Sequence, residues 1–171
     1  MNIRYATMAD LDDIASVESV CFPVLEAATK EEFEQRIKYF GNHFWLMFDD
    51  DKLIAFVDGF VTDEADLTDE MYENASMHNE NGAWQMIFGV NTLPEYRRCG
   101  YAKELIKKAI LDAREQNRRG LVLTCKESLV PYYSKFGFID EGITDKSTHG
   151  NVLWYQMRLD FELRNNGVKQ I

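Results

Sequence analysis

The chain has 171 residues and a mass of 19.9 kDa, the size of one compact domain. Hydrophobic residues make up 46% and charged residues 28%, which argues against a disordered, collagen-like or coiled-coil chain, and charge interrupts every apolar run before it could span a membrane. The net charge of −10 is concentrated: residues 49–80 hold eleven acids against the base Lys52, whereas residues 93–119 hold eight Lys/Arg against four Asp/Glu.

In chain order, Ile3–Ala6 reads as a short strand. Thr7-Met8-Ala9-Asp10 then has the capping-box pattern, and Leu11, Ile14 and Val17 predict a helix to about Cys21, with Pro23 marking its end. Thr29-Lys30-Glu31-Glu32 repeats the box before Phe33, Ile37 and Phe40, and Gly41 is the stop. Phe44–Phe48 and Leu53–Val61 flank Asp49-Asp50-Asp51-Lys52 as a hairpin. The acidic stretch 62–83 has no clean period and reads as a long excursion, partly helical. Trp84–Thr92 is the next strand. From Tyr101 onward Ala102, Leu105, Ile106, Ala109, Ile110 and Ala113 form a helical stripe, with Gly120 as its stop. Leu121–Cys125 reads as a buried strand, Leu129–Phe136 as a short helix ended by Gly137, and Phe138-Ile139 and Val152–Phe161 as the last strands. Residues 1–161 thus form one α/β domain and 162–171 a polar tail.

Cys21, Cys99 and Cys125 are odd in number and lack CxxC spacing, so they read as reduced thiols. With no apolar segment behind Met1-Asn2-Ile3-Arg4, the expectation is a cytoplasmic protein. His43, His78 and His149 are isolated in sequence and no pair has metal spacing, so no metal is expected. No basic stripe dominates, which disfavours nucleic acid, and no membrane partner is expected; a homodimer is left open. An acidic loop beside a basic strand-to-helix junction suits a cationic substrate meeting an anionic cofactor, although an acidic loop is also an ordinary solubilising feature.

The most informative segment is Arg97-Arg98-Cys99-Gly100-Tyr101-Ala102, between a strand and the long helix. A helix start offers unpaired N–H groups and a positive dipole end, Gly100 has no Cβ, Ala102 is small and two arginines add charge. GxxxxGK[ST] and GxGxxG are both absent, so no nucleotide fold is indicated.

In this context the segment resembles motif A of the GNAT acetyltransferases, Q/R-x-x-G-x-G/A, with Arg97, Gly100 and Ala102 at the fixed positions. Leu129–Phe138 is similar to the helix-to-strand motif that carries a tyrosine near the acyl sulfur. Cys21-Phe22-Pro23-Val24-Leu25-Glu26-Ala27-Ala28 and Leu123–Glu127 resemble the arylalkylamine (serotonin) N-acetyltransferase branch and its bacterial relatives. The resemblance implies a mixed, mostly antiparallel central sheet, splayed between its fourth and fifth strands (84–92 and 121–125), with helices on both faces. Acetyl-CoA, as cosubstrate, would lie in the splay. Backbone groups of Val90 and Thr92 would hold its pantetheine arm, and the turn of Arg97, Arg98, Cys99, Gly100, Tyr101 and Ala102 its pyrophosphate. Gly89, inside its strand, fits a bulge or close approach.

The implied reaction is attack of a small primary amine, arylalkyl amines included, on the thioester. Such an amine is neutral in only about one molecule in a thousand near pH 7.4, so a base is needed. Tyr133 matches the tyrosine that protonates the thiolate, with Tyr132 as local competitor. Where vertebrate members of the branch carry two histidines on the fourth strand, this chain has Met86 and Phe88. Glu26 matches a glutamate that serves as base in insect relatives; its other reading is a helix-entry carboxylate. Gln85 with backbone carbonyls could instead order a water chain. Cys99 and Cys125 have no nearby histidine, which discounts an acyl-cysteine. Acetylation of a protein N-terminus or lysine, and a non-catalytic acyl-CoA sensor, are the alternative functions.

Overall fold

A computed structural model describes residues 1–163. β1 (Asn2–Arg4), β2 (Phe44–Asp49), β3 (Lys52–Asp58) and β6 (Gly89–Thr92) form one sheet in the order β1-β2-β3-β6. β4 (Val61–Thr62), β5 (Trp84–Ile87), β7 (Gly120–Cys125), β9 (Trp154–Asp160) and β8 (Ile139–Thr144) form the other, in the order β4-β5-β7-β9-β8. Every pairing among the described residues is antiparallel except β5 with β7.

Both central strands of the hairpin are buried, and their alternation divides the core. Phe44, Leu46 and Phe48 of β2 join the α1 (Leu11–Cys21) and α2 (Lys30–Phe40) side, while Trp45 and Met47 join the α4 (Tyr101–Glu115) and α5 (Val130–Ser134) side. Helices therefore cover both faces of the sheet. Both capping boxes form. Thr7 N–H donates to Asp10 Oδ2 at 2.8 Å, and Thr29 Oγ1 accepts from Glu32 N–H at 3.2 Å. In α4, Leu105, Ile106, Ala109 and Ala113 are buried as the stripe requires.

Three expectations need correction, each for a tertiary reason. The strand expected over 53–61 breaks after Asp58, where a β-carbon on Gly59 would overlap the Met86 carbonyl, and resumes as β4 in the other sheet. Strand 84–92 likewise parts at Phe88, so β5 belongs to one sheet and β6 to the other. The long helix ends at Glu115 rather than at Gly120: Asn117 takes the left-handed turn (φ 60°), and Gly120 opens β7, where a β-carbon would overlap the Leu159 carbonyl. The acidic stretch contains α3 (Asp69–Glu73), which buries Met71, with Leu67 and Ala75 also in the core on either side. Residues 161–163 are helical; the rest of the polar tail, 164–171, lies outside the described residues.

Candidate active site

The split at Phe88 opens a cleft. β5 runs alongside β7 from Trp84 opposite Gly120 to Ile87 opposite Leu123, and there the pairing stops. Beyond it β6 pairs with β3, while β7 continues to Cys125 against β9. The gap leads into a cavity of about 750 Å³, walled by α1, the 22–28 loop, α2, β6, the end of β7 and α5.

Val90 and Thr92 lie on the cavity wall. Leu93 N–H donates to Ile54 in β3 at 2.9 Å, whereas the Thr92 carbonyl accepts from Arg97 Nε at 3.0 Å and Cys21 Sγ at 3.3 Å. Since backbone groups alternate along a strand, those of Val90 and Thr92 face the gap and not β3.

The 97–102 turn follows. Arg98 (φ 63°) and Gly100 (φ 86°) are both left-handed, which is why glycine suits position 100. A β-carbon on Gly100 would meet nothing within 4 Å, so the space above the turn is open. No side chain caps α4. Glu104 N–H bonds the Gly100 carbonyl at 3.1 Å, and among the described residues the N–H groups from Arg98 to Lys103 have no protein acceptor. This run of free donors on the positive end of a 15-residue helix is a ready anion cradle. Arg98, Cys99 and Gly100 are exposed, Tyr101 stands 6.3 Å from the Tyr96 ring, and Arg97 and Ala102 line the cavity.

Tyr133 is buried but lines the same cavity, and its hydroxyl has no partner among the described residues. Burial pushes this phenol above its usual range, so it keeps its proton at neutral pH. Tyr132 lines the cavity too, half-buried, its ring 5.1 Å from that of Tyr133. Glu26, on the opposite loop, pairs with Lys126 Nζ at 3.0 Å through Oε1, while its buried Oε2 has no partner. Burial raises the Cys125 thiol to about 11, leaving almost no thiolate at neutral pH.

The sequence reading missed a polar group at the floor. Arg36 donates to Asp58 Oδ2 at 3.0 Å and to the Tyr72 carbonyl at 2.9 Å, and its guanidinium sits 5.0 Å from the Phe88 ring. Asp58 is fully buried, which pushes its carboxyl up against the pull of Arg36. Glu18 also faces the cavity. The available signal was a charge inside an apolar helical stripe: Glu18 is one turn beyond Ile14, and Arg36 lies between Phe33 and Ile37. An aromatic run backs the cavity, with ring centroids 4.8 Å apart for Phe88–Tyr72, 4.7 Å for Tyr72–His149 and 4.3 Å for His149–Trp154.

The other histidines are not isolated in space, which corrects the sequence reading. His43 Nε2 and His78 Nε2 reach Glu80 Oε2 at 2.8 and 2.7 Å, and the three side chains bring their ligand atoms within 4.8 Å of one another. His78 Nδ1, however, accepts the Val61 N–H at 3.0 Å. Its proton therefore sits on Nε2, the atom a metal would need, and the group is arranged as a hydrogen-bonded staple. Gln85 belongs to this staple and not to the cavity: it donates to the Phe60 and Met86 carbonyls and accepts from His43 Nδ1 at 2.8 Å. That removes Gln85 from any water chain in the cleft. No helix among the described residues is long and apolar enough to cross a membrane.

Comparison with known proteins agrees with this geometry. The model of the acetyltransferase (GNAT) family matches residues 11–138. Serotonin N-acetyltransferase from Mesocricetus auratus is 30% identical over 93 residues, 53% of this chain and 43% of that protein, so the chain aligns with under half of its relative. The loading GNATL domain of CurA from Lyngbya majuscula superposes with a TM-score of 0.82 at 16% identity, covering 95% of this chain and 98% of that one. A GphF GNAT-like decarboxylase in complex with isobutyryl-CoA gives a TM-score of 0.77 at 16% identity, covering 94% and 99%. At such identities these structures show a shared fold alone.

Proposed function

Because this chain belongs to the acetyltransferase (GNAT) family, we propose that it transfers the acetyl group of acetyl-CoA to a small primary amine in a ternary complex. The observation that carries the reading is the parted pair of strands beside a helix start whose N–H groups lack acceptors among the described residues. In this reading residues 97–102 hold the pyrophosphate, and the backbone of Val90 and Thr92 pairs with the pantetheine amides. The aromatic run from Phe88 to Trp154 and the likeness to serotonin N-acetyltransferase support an arylalkyl acceptor.

The amine nitrogen attacks the thioester carbon, the N–C bond forms and the C–S bond breaks. Tyr133 gives its proton to the departing sulfur, and Glu26 accepts a proton from nitrogen. Replacing Glu26 with Gln should slow turnover most at low pH; a flat response would remove it from the mechanism. The reading as a whole is tested by thiol release from acetyl-CoA across a panel of alkyl and arylalkyl amines and amino-terminal peptides. Turnover on the arylalkyl amines supports it, preference for peptides would replace it with protein acetylation, and coenzyme A binding without turnover on any acceptor would make the chain a sensor.

A further inference from the structure

Among the described residues, the buried side-chain atoms without a partner are Glu26 Oε2, Arg36 Nε, Asp58 Oδ1 and both amide atoms of Asn91. They lie on or beside the cavity wall. Glu26 and Arg36 line the cavity, and a β-carbon on Gly89 would lie 3.1 Å from Asn91 Nδ2, 3.2 Å from Asp58 Oδ1 and 3.8 Å from Glu18 Oε1. Glu18 is 4% exposed and lines the cavity, yet its carboxyl group makes no hydrogen bond or ion pair among the described residues. Its carboxylate opens onto the cavity from a largely desolvated position, which is costly, and a ligand cation entering the cavity would relieve that cost.

The chemistry of the proposed reaction needs such a group. An alkylammonium sheds two protons on becoming an amide: one before its nitrogen can attack, and one from the adduct. The thiolate recovers a single proton through Tyr133, and the other leaves to water. Glu26 is tied to Lys126 and stands as acceptor for one of them.

Resting on the acetyltransferase reading above, we propose that Glu18 takes the first proton, converting the bound ammonium to the free amine at the floor of the cavity as its own carboxylate becomes a carboxylic acid. The neutral nitrogen then attacks, the second proton passes to Glu26, and both carboxyl groups reset by returning one proton to the Tyr133 phenolate and one to solvent. Gly89 keeps the space between Glu18 and the strand split free of side chain. The charged and titratable groups facing Glu18 are Asp58 from β3, Arg36 and Glu32 from α2, and Cys21 on its own helix. Burial first and Asp58 second raise this carboxyl to about 8, against the pull of Arg36, which suits proton exchange near neutral pH.

The test compares two acceptors of one shape on the full chain: phenethylamine, and its difluorinated analogue, whose ammonium is far more acidic. Glu18→Gln should lower kcat/KM for phenethylamine at pH 7 by about 100-fold, with recovery as pH rises, and barely affect the fluorinated amine. Equal losses on both amines, or no loss, would overturn the assignment. Should Gln at this position prevent folding, the unsubstituted protein decides. Its rate should climb to a break near pH 8 with phenethylamine and lack that break with the fluorinated amine; the same profile for both would overturn the proposal. Failure of the unsubstituted protein to acetylate any amine would instead remove the acetyltransferase reading on which this one rests.

Discussion

Two polar clusters touch residues 84–92, one at Gln85 and one where β5 and β6 part at Phe88, and they are built to opposite standards. At the start, Gln85, His43, His78 and Glu80 answer one another, and Arg118 closes the group through the Glu80 and Gly82 carbonyls at 2.6 and 2.8 Å. At the split, among the described residues, the Glu18 carboxyl has no hydrogen-bond or ion-pair partner, while Arg36, Asp58 and Asn91 leave atoms unpaired. Both clusters carry the desolvation cost of buried polar groups, but one recovers it inside the protein. The difference separates a structural staple, holding the 75–82 segment to the strand, from a site that leaves valence for a ligand. Substitutions at the staple should therefore cost stability without changing chemistry. Those at the cleft should do the reverse.

The largest expected effect is at the cleft entrance. Gly100→Asp places a negative charge and a β-carbon on a left-handed residue over the open N–H cradle, and should weaken coenzyme A binding by about 1,000-fold, roughly 4 kcal/mol. Calorimetry with coenzyme A reads this directly; unchanged affinity would disprove the cradle. Next, Glu80→Ala strips the staple of its acceptor and leaves His43, His78 and Arg118 facing each other. It should destabilise the fold by about 3 kcal/mol in urea titration, with kcat of the folded fraction unchanged. A loss of kcat at constant stability would merge the two clusters into one functional unit. Slightly smaller is Tyr133→Phe, which should slow thiol release by about 100-fold with coenzyme A affinity intact. A rate equal to that of the unsubstituted protein would pass the role to Tyr132 or to water.

How far each region could be read in the sequence follows from the distance over which its residues act. The α4 stripe, both capping boxes and the 97–102 turn are set by neighbours within a few positions, and they are legible there. The breaks at Gly59 and Phe88 depend on two sheets diverging, which no local pattern encodes. Asn117 could take the left-handed turn credited to Gly120 because the α4 end and the close β7–β9 contact make separate demands. The floor of the cavity was hidden for the same reason: Glu18, Arg36 and Asp58 come from three elements, and Glu26 meets Lys126 from across the cleft. Their trace in the sequence is the charge each of Glu18 and Arg36 places inside an apolar stripe. A pattern reader discounts that as noise, although it costs too much to keep without a use.

The smallest expected effect distinguishes the clusters by sign alone. Burial holds the His78 imidazole below its ordinary value of 6.5, outweighing its hydrogen bond to Glu80, with His43 and Arg118 adding to the lowering. The unfolded chain therefore takes up this proton before the folded one does. The stability it contributes is present above about 6.5 and is lost as pH falls through the folded value. Glu80 adds to the acid loss further down: burial pushes its carboxyl up, but the bonds and charges of His43 and His78 leave it below 4.5. Glu18 has the opposite slope, because a carboxyl raised to about 8 loses stability as pH rises from 4.5 toward that value. Urea titrations across pH 5 to 8 should thus show His78→Gln flattening the acid limb and Glu18→Gln flattening the other. If either substitution changed both limbs, the clusters would be electrostatically coupled through the strand, and the division between staple and site would fail.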